Sequence, residues 1–336
     1  MLTNASLSQF QQQFETGLRN MLDADALGAF ILVLANSMQD KRLHAGLTPA
    51  LREIFTELRD RYRNDELEGA PDDLAVFRSL AETGIDDFGV WQSRTLPPWR
   101  LAYNPLRALR PARASNDSFD SIRRPFNEQG FHFDKPFLKP EIMDETTYRG
   151  RPLRIMYHKF PFAPYHLMLV FEAASHLPQY LDGDDHALLW RFTEESAENL
   201  PDIALAYNSL GAGASINHFH VHSMLESEPL AIEQPQWRHN GGEQTYPLAV
   251  EKFTSLRESG ERLAELHEAN QPFNLLYRPG CCYIAPRRPQ GSFTAPPWMN
   301  TAAWYEVSGG FNLDDRQWFE TLQADDIEAG LRLLAL

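Results

Sequence analysis

Tyr207-Asn-Ser-Leu-Gly-Ala-Gly-Ala-Ser-Ile-Asn-His-Phe-His-Val-His222 is the stretch whose reading decides the fold. Its last five residues alternate imidazole with apolar side chains. Side chains on a strand alternate faces, so His218, His220 and His222 would share one face while Phe219 and Val221 enter a core. Three neutral imidazoles on one face can bind a transition metal. Alternatively, one can act as a nucleophile while its neighbours position phosphate oxygens. A strand whose histidines merely face solvent is the bland alternative. Only 11 histidines occur in the chain, and three at period two beside Gly211-Ala-Gly-Ala-Ser215 argue against chance. Histidines at i, i+2 and i+4 on a flat strand rarely converge on a tetrahedral centre without a further ligand, which favours nucleophilic chemistry on phosphorus over metal binding.

Outward from this stretch, Ile203-Ala-Leu-Ala-Tyr207 reads as a strand that leads through the small-residue loop into the histidine strand. Asp184 and Asp185 are placed to cap a helix with Leu188, Leu189 and Phe192 on one face. Leu153–Tyr157 and Tyr165–Phe171, separated by Pro161 and Pro164, predict two strands joined by a tight proline turn. The predicted order is strand, strand, helix, strand, strand. A weaker echo of the hairpin runs over Asn274–Gln290, set opposite His158–Val170, and both continue to a Pro-Gln dipeptide, Pro178-Gln179 and Pro289-Gln290. Between them, Ala249–Asn270 predicts an amphipathic helix with Phe253, Leu256, Leu263 and Leu266. The second half has no histidine triplet, so one active site per chain is expected.

From Gln9 to about Phe88 the texture is helical, with Thr48-Pro49 as N-cap and first helical residue ahead of the stripe Leu51, Ile54, Phe55, Leu58. Near Gly89 it turns aromatic and proline-rich, with Trp91, Pro97-Pro98-Trp99, Tyr103-Asn-Pro105 and arginines at 107, 110 and 113, which puts a boundary near residue 90. A formal charge of −15 argues against broad binding to nucleic acid or anionic membranes, so any cations that meet phosphates must be concentrated locally. The N-terminus has no basic and apolar leader pattern. The most apolar run, Ala26–Ala35, is far short of the roughly 20 residues of a membrane span. A soluble, cytoplasmic protein is expected. Cys281 and Cys282 are adjacent, which suits small core residues in a reducing compartment better than a disulfide.

The histidine strand, its Gly-Ala-Ser-Ile-Asn lead-in and the upstream Pro164-Tyr-His166 resemble the histidine-triad superfamily, in its duplicated branch with galactose-1-phosphate uridylyltransferase and diadenosine tetraphosphate phosphorylase. Within that branch the chain is similar to the GDP-hexose phosphorylases, for GDP-L-galactose or GDP-D-glucose. The matching stretches are Trp99–Arg107, Pro125-Phe-Asn127, Phe131–Lys135, Tyr207–His222 and Trp304–Gly309, roughly residues 95 to 312. The resemblance implies an α+β fold with a histidine-triad antiparallel sheet, helices and a duplicated core. The domains expected are an N-terminal helical segment over 1–90 and a catalytic core over 91–336, with an active half at about 91–235 and a degenerate half at about 245–336.

The same resemblance implies a nucleotidyltransferase acting as a phosphorylase, turning a GDP-hexose and phosphate into GDP and hexose 1-phosphate through a nucleotidyl-histidine. His220 would be the nucleophile, with a backbone carbonyl near His218 holding its other nitrogen. His222 would donate to a phosphate or leaving-group oxygen, and His218 and His166 would support them. Asn208, Gly213, Ser215, Asn217 and Asn104 would meet the nucleotide or its phosphates, and Lys135 with Arg107, Arg110, Arg123 or Arg124 would supply the cations. No metal or cofactor is expected, since the Cys-x-x-Cys pair that holds zinc in uridylyltransferases is missing. The expected partners are a nucleotide sugar or dinucleotide and inorganic phosphate, with neither nucleic acid nor membrane, in a possible homodimer. The alternatives are a diadenosine tetraphosphate phosphorylase (ATP adenylyltransferase-like), a nucleotide-binding sensor without turnover, and a zinc-dependent hydrolase.

Overall fold

The chain opens with helices α1 (Leu7–Met21), α2 (Leu27–Ser37), α3 (Lys41–Arg63) and α4 (Pro71–Thr83). The computed structural model that shows them describes residues 2–24, 26–109, 119–299 and 302–336. Ser6 starts α1 with a reciprocal cap: its hydroxyl accepts from Gln9 N while Gln9 Oε1 accepts from Ser6 N. α2 has no polar face and is buried along nearly its whole length, as such a helix must be in water. Among the described residues no helix is long and apolar enough to cross a membrane.

α3 departs from the expected start at Thr48-Pro49. It begins after Asp40, whose side chain accepts from Arg42 N at 2.8 Å and Leu43 N at 2.9 Å. Leu43, Leu47, Leu51, Phe55 and Leu58 form one buried stripe that runs straight past Pro49. Burying several large side chains at about 1.5–3 kcal/mol each outweighs the roughly 3 kcal/mol that an interior proline costs.

A small sheet and a large one follow. The remaining elements are β1 (Gln92–Leu96), β2 (Trp99–Tyr103), α5 (Pro105–Ala108), β3 (Ile142–Tyr148), β4 (Arg151–Tyr157), β5 (Leu167–Phe171), α6 (Gly183–Ala197), β6 (Ile203–Asn208), β7 (Val221–Leu225), β8 (Glu251–Phe253), α7 (Leu256–Glu268), β9 (Phe273–Arg278), β10 (Cys281–Pro286), α8 (Trp304–Val307), β11 (Gly310–Leu313), α9 (Arg316–Thr321) and α10 (Ala324–Arg332). The large sheet has the order β3-β4-β5-β7-β6-β9-β10-β8 with every neighbour antiparallel, the α+β architecture expected. In the small sheet β1-β2-β11, β11 runs parallel to β2.

Two further boundaries differ from the sequence reading. Asp182 caps α6 by accepting from Asp185 N at 2.8 Å, and Asp184 and Asp185 occupy the first turn, where carboxylates favour the helix dipole. The helix expected over Ala249–Asn270 splits, because Glu251–Phe253 pairs with β10 and Ser255 caps α7. Phe253 therefore sits opposite Cys282 in the sheet, not on a helix.

The internal repeat is visible in the topology, with a different correspondence from the expected one. The run β5-α6-β6-β7 recurs as β8-α7-β9-β10, and the sheet order β5-β7-β6 then β9-β10-β8 sets the two back to back about the β6–β9 pair. β9 and β10 thus take the places of β6 and β7, not of the β4–β5 hairpin. The prolines that suggested the other pairing punctuate many hairpins and do not fix which one.

One face of the large sheet, with Ile155, Tyr157, Leu167, Leu205 and Val221, shares a single core with Phe10, Phe14 and α2, so the N-terminal helices pack directly on it. The opposite face sends Ala204, Ala206 and Met224 toward Trp99, Trp304 and Phe311, and sends Met156, Met168 and Val170 toward Phe133 and Leu138. The histidines lie where these two clusters meet.

Candidate active site

Only His222 of the triplet lies within β7, which starts at Val221; His218 and His220 stand in its extended lead-in. The alternation of faces nevertheless persists, with Phe219 and Val221 in the first core. What continues the sheet past Val221 is a side chain. His220 N donates to Gln179 Oε1 at 2.9 Å, while Gln179 Nε2 donates to His220 O at 3.1 Å and to Asn208 O at 3.0 Å. The amide of Gln179, 1% exposed, thereby stands in for a peptide unit between the end of β6 and the histidine run. Its own N–H donates to Asn217 Oδ1 at 2.9 Å, and Tyr207 Oη donates to its carbonyl at 3.1 Å.

A carbonyl can only accept, so the 2.7 Å contact between His220 Nδ1 and His218 O puts the proton of His220 on Nδ1 and leaves Nε2 with its lone pair. Burial pushes this imidazole down to about 4, so it is neutral at neutral pH. Phe133 covers it with ring centroids 4.9 Å apart. His218 Nδ1 accepts from Phe133 N at 3.0 Å, and burial pushes this ring down to about 4 as well.

The proton arrangement of His222 follows from two asparagines. Asn208 Oδ1 accepts from Asn274 Nδ2 at 2.7 Å and from Trp304 N at 2.9 Å, which turns Asn208 Nδ2 toward His222 Nε2, 3.5 Å away. A donor facing Nε2 makes that nitrogen the acceptor, so His222 carries its proton on Nδ1 and donates to His166 Nε2 at 2.8 Å. His166 then keeps its proton on Nδ1, a buried nitrogen with no acceptor among the described residues. Burial holds both rings well below the usual histidine range.

His158 stacks on His166, with centroids 4.1 Å apart and planes at 7°. Among the described residues, His158, His166 and His222 are the group whose nitrogens come close enough together to hold a metal, all within 4.8 Å. Parallel rings send their in-plane lone pairs side by side instead of toward one point, and the His166–His222 contact is already a hydrogen bond. The donor set fits a chain of imidazoles better than a metal centre.

Beyond the histidines, Asn104 caps α5 by accepting from Leu106 N at 3.1 Å and Arg107 N at 3.3 Å, which directs Arg107 inward. Arg107 donates to Phe160 O at 3.0 Å and lies 5.0 Å over the Phe162 ring, itself 4.3 Å from His166. Gly213, at φ 95°, lets the small-residue loop approach Ala303, whose Cβ would sit 2.8 Å from any added Cβ. Glu306 accepts from Ala303 N at 2.9 Å, and burial pushes its carboxyl up to about 7.

The structure brings His166, His218, His220, His222, Asn208 and Arg107 together and spreads the other candidates around them. Ser215 is exposed on the loop. Asn217 is engaged at both ends of its amide, accepting from Gln179 N and donating to Pro125 O at 2.7 Å, so it ties loops together. Lys135 donates to Glu128 O at 3.2 Å, Arg123 lies 4.1 Å over the Tyr180 ring, and Arg124 pairs with Asp120. Arg110 and Arg113 lie outside the described residues. Sequence reasoning missed Gln179, Asn274, Trp304 and His158. In the sequence Gln179 stands out only as half of a Pro-Gln dipeptide, and Trp304 only as part of a matching stretch.

Comparison with known proteins adds the following. The chain is 28% identical over 215 residues to GDP-D-glucose phosphorylase 1 of Danio rerio, covering 61% of this chain and 53% of that protein. It therefore spans about half the length of the curated relative it matches. Crystal structures of yeast Ap4A phosphorylase Apa2 are similar at TM-score 0.47, 16% identity and coverage of 77% of this chain and 91% of that one. The same enzyme in complex with Ap4A gives 0.49, 16%, 80% and 98%. A family model described as GDPGP1-like, N-terminal domain matches residues 100–224. The part of the chain that holds His158, His166 and the triplet is thus the part that is similar to a GDPGP1-like N-terminal domain.

Proposed function

We propose that the protein is a phosphorylase that converts a GDP-hexose and inorganic phosphate into GDP and a hexose 1-phosphate. The observation that carries this reading is a buried, neutral His220 whose Nδ1 is committed to the His218 carbonyl and whose Nε2 lone pair has no hydrogen-bond partner among the described residues. The match of residues 100–224 to the GDPGP1-like domain, and the name of the fish relative, support guanine and hexose as the two ends of the substrate.

In the first step Nε2 of His220 attacks the α-phosphorus. A P–N bond forms, the P–O bond to the β-phosphate breaks, and hexose 1-phosphate leaves with that electron pair. In the second step an oxygen of inorganic phosphate attacks the same phosphorus in line, the P–N bond breaks, and GDP forms. The ring becomes cationic while bonded to phosphorus, and the Nδ1–H donated to His218 O stabilises that charge without moving. The leaving group is already a phosphate dianion, so the reaction needs donors to its oxygens more than a strong acid. Asn208, Arg107 and Lys135 are the groups proposed for that work. His222, whose Nδ1–H goes to His166 and whose Nε2 faces Asn208 Nδ2, has no proton left to donate and orients Asn208 instead, with His218 and His166 in support. In this reading the active half, about 91–235, carries the nucleophile, and the half from about 245 supplies Asn274 and Trp304 to set Asn208.

The test incubates the protein and its His220→Asn variant with GDP-glucose, GDP-mannose, GDP-L-galactose or diadenosine tetraphosphate, with and without phosphate. Products are separated by anion exchange. Phosphate-dependent GDP and hexose 1-phosphate, lost in the variant, are expected. ADP and ATP from the dinucleotide alone would move the substrate class, and no turnover of any would refute the reading.

A further inference from the structure

The loop between β4 and β5, which carries His158 and His166, is held at both ends by the N-terminal helices. Asn36, fully buried near the end of α2, donates through Nδ2 to His158 O at 3.0 Å and to Leu32 O at 2.9 Å. Gln39, just beyond α2, accepts through Oε1 from Tyr165 N at 2.5 Å and donates through Nε2 to Asn36 O at 2.9 Å. Between these ties, Lys159 Nζ meets the two carboxylate oxygens of Asp73 on α4 at 2.7 and 2.8 Å. Phe10 and Phe14 of α1 meet the Tyr165 ring edge-on at 5.6 and 5.1 Å. Tyr165 has φ 51°, a left-handed conformation that a non-glycine residue keeps only when its surroundings impose it. The residue it presents next is His166, the acceptor for His222.

We propose that Gln39, seconded by Asn36, is a positioning residue of the active site: by holding Tyr165 it keeps His166 Nε2 against His222 Nδ1, the acceptor without which the tautomer that Asn208 selects is not held. The helical segment is then part of the catalytic apparatus although none of its residues lies among the histidines. Satisfying loop polar groups explains each bond singly. It does not explain why Gln39 takes up the N–H of the one strained residue in the loop, directly before His166.

The inference rests on the proposed phosphorolysis only for its kinetic arm. Gln39→Met removes acceptor and donor at nearly constant volume, Gln39→Glu keeps the acceptor, and Leu58→Ala in α3 lowers stability away from the loop. In protein labelled with 15N in the histidine rings, the wild type and Gln39→Glu are expected to show His222 protonated on Nδ1, and Gln39→Met a mixture of tautomers. With GDP-hexose, kcat of Gln39→Met is expected to fall roughly ten- to a hundredfold with KM little changed, while Leu58→Ala keeps its kcat at a temperature where it is folded. Wild-type ring spectra and kcat in Gln39→Met would overturn the proposal, as would an equal loss in Leu58→Ala. If the wild type itself turns nothing over, the proposed function fails and the ring spectra alone decide.

Discussion

Replacing Gln179 by leucine asks whether a side-chain amide really substitutes for a strand beside the nucleophile. Leucine is close to glutamine in volume, so the change removes hydrogen bonds and opens little space. His220 N–H loses its acceptor, and Asn208 O and His220 O lose a donor. A buried N–H without a partner costs about 1–3 kcal/mol, and each under-satisfied carbonyl less, so the sum is about 3–5 kcal/mol. At about 2 °C per kcal/mol in a chain of this size, the melting temperature should fall by roughly 6–10 °C. The His220 backbone also loses its fixed place, and with it the Nδ1 bond to His218 O, so kcat should fall at least tenfold or so. Thermal unfolding followed by circular dichroism, and phosphorolysis measured well below the transition, give the two readouts. A melting temperature within about 2 °C of wild type together with unchanged kcat would refute the idea that this amide continues the sheet.

Three further outcomes are expected. Gly213→Ala puts a Cβ against Ala303 and into a left-handed φ, and should cost about 1–3 kcal/mol and raise KM, read by urea unfolding and steady-state kinetics; unchanged stability would mean the loop shifts freely. Asn208→Leu removes the donor that faces His222 Nε2, so 15N ring spectra should show the His222 proton distributed over both nitrogens, and an unchanged spectrum would contradict the assignment. Acid should destabilise the fold, because His186, His218 and His220 are pushed down to about 4 by burial. Unfolded, they take up protons near 6.5, so stability is full above that value and is lost as pH falls toward 4, on the order of 2–3 kcal/mol per histidine. Glu141 and Glu306, pushed up to about 7, act in the opposite sense between about 4.5 and 7 but are fewer. Urea midpoints at pH 7.5, 6 and 5 test the sign, and a flat series would refute it.

The histidine run and the strand before it were legible because each face of a strand meets its own environment: Ile203, Leu205 and Tyr207 enter one core, Ala204 and Ala206 the other. The alanines also carry a meaning that sequence alone did not reveal. Ala206 lies directly opposite His222, and its small side chain leaves room for the imidazole. The role of Gln179 was not legible, since nothing local marks a side chain that bonds to the backbone of residues 208 and 220. The pairing of β11 with β2 spans most of the chain and has no local signature either. Thr48-Pro49 misled because a good helix-start signal was outweighed by an apolar stripe that began earlier. The roles expected for Asn217 and Ser215 rest on the resemblance, and a sequence does not say that the Asn217 amide is engaged by Gln179 and Pro125.

β6 is buried along its whole length, pairing with β7 on one side and β9 on the other. Sever the chain between its two halves and that strand would present bare N–H and C=O groups on an apolar ribbon, an edge that invites another strand. The natural taker would be a second β6 related by a two-fold axis, because β9 occupies its place by that operation. The intact chain joins the two runs that meet at β6 and β9, and runs joined in one chain need not stay alike. Identical protomers must both carry the histidines or both lack them. Joined in one chain, the first run carries the histidines while Asn274 on β9 and Trp304 on α8 donate to Asn208 at the end of β6.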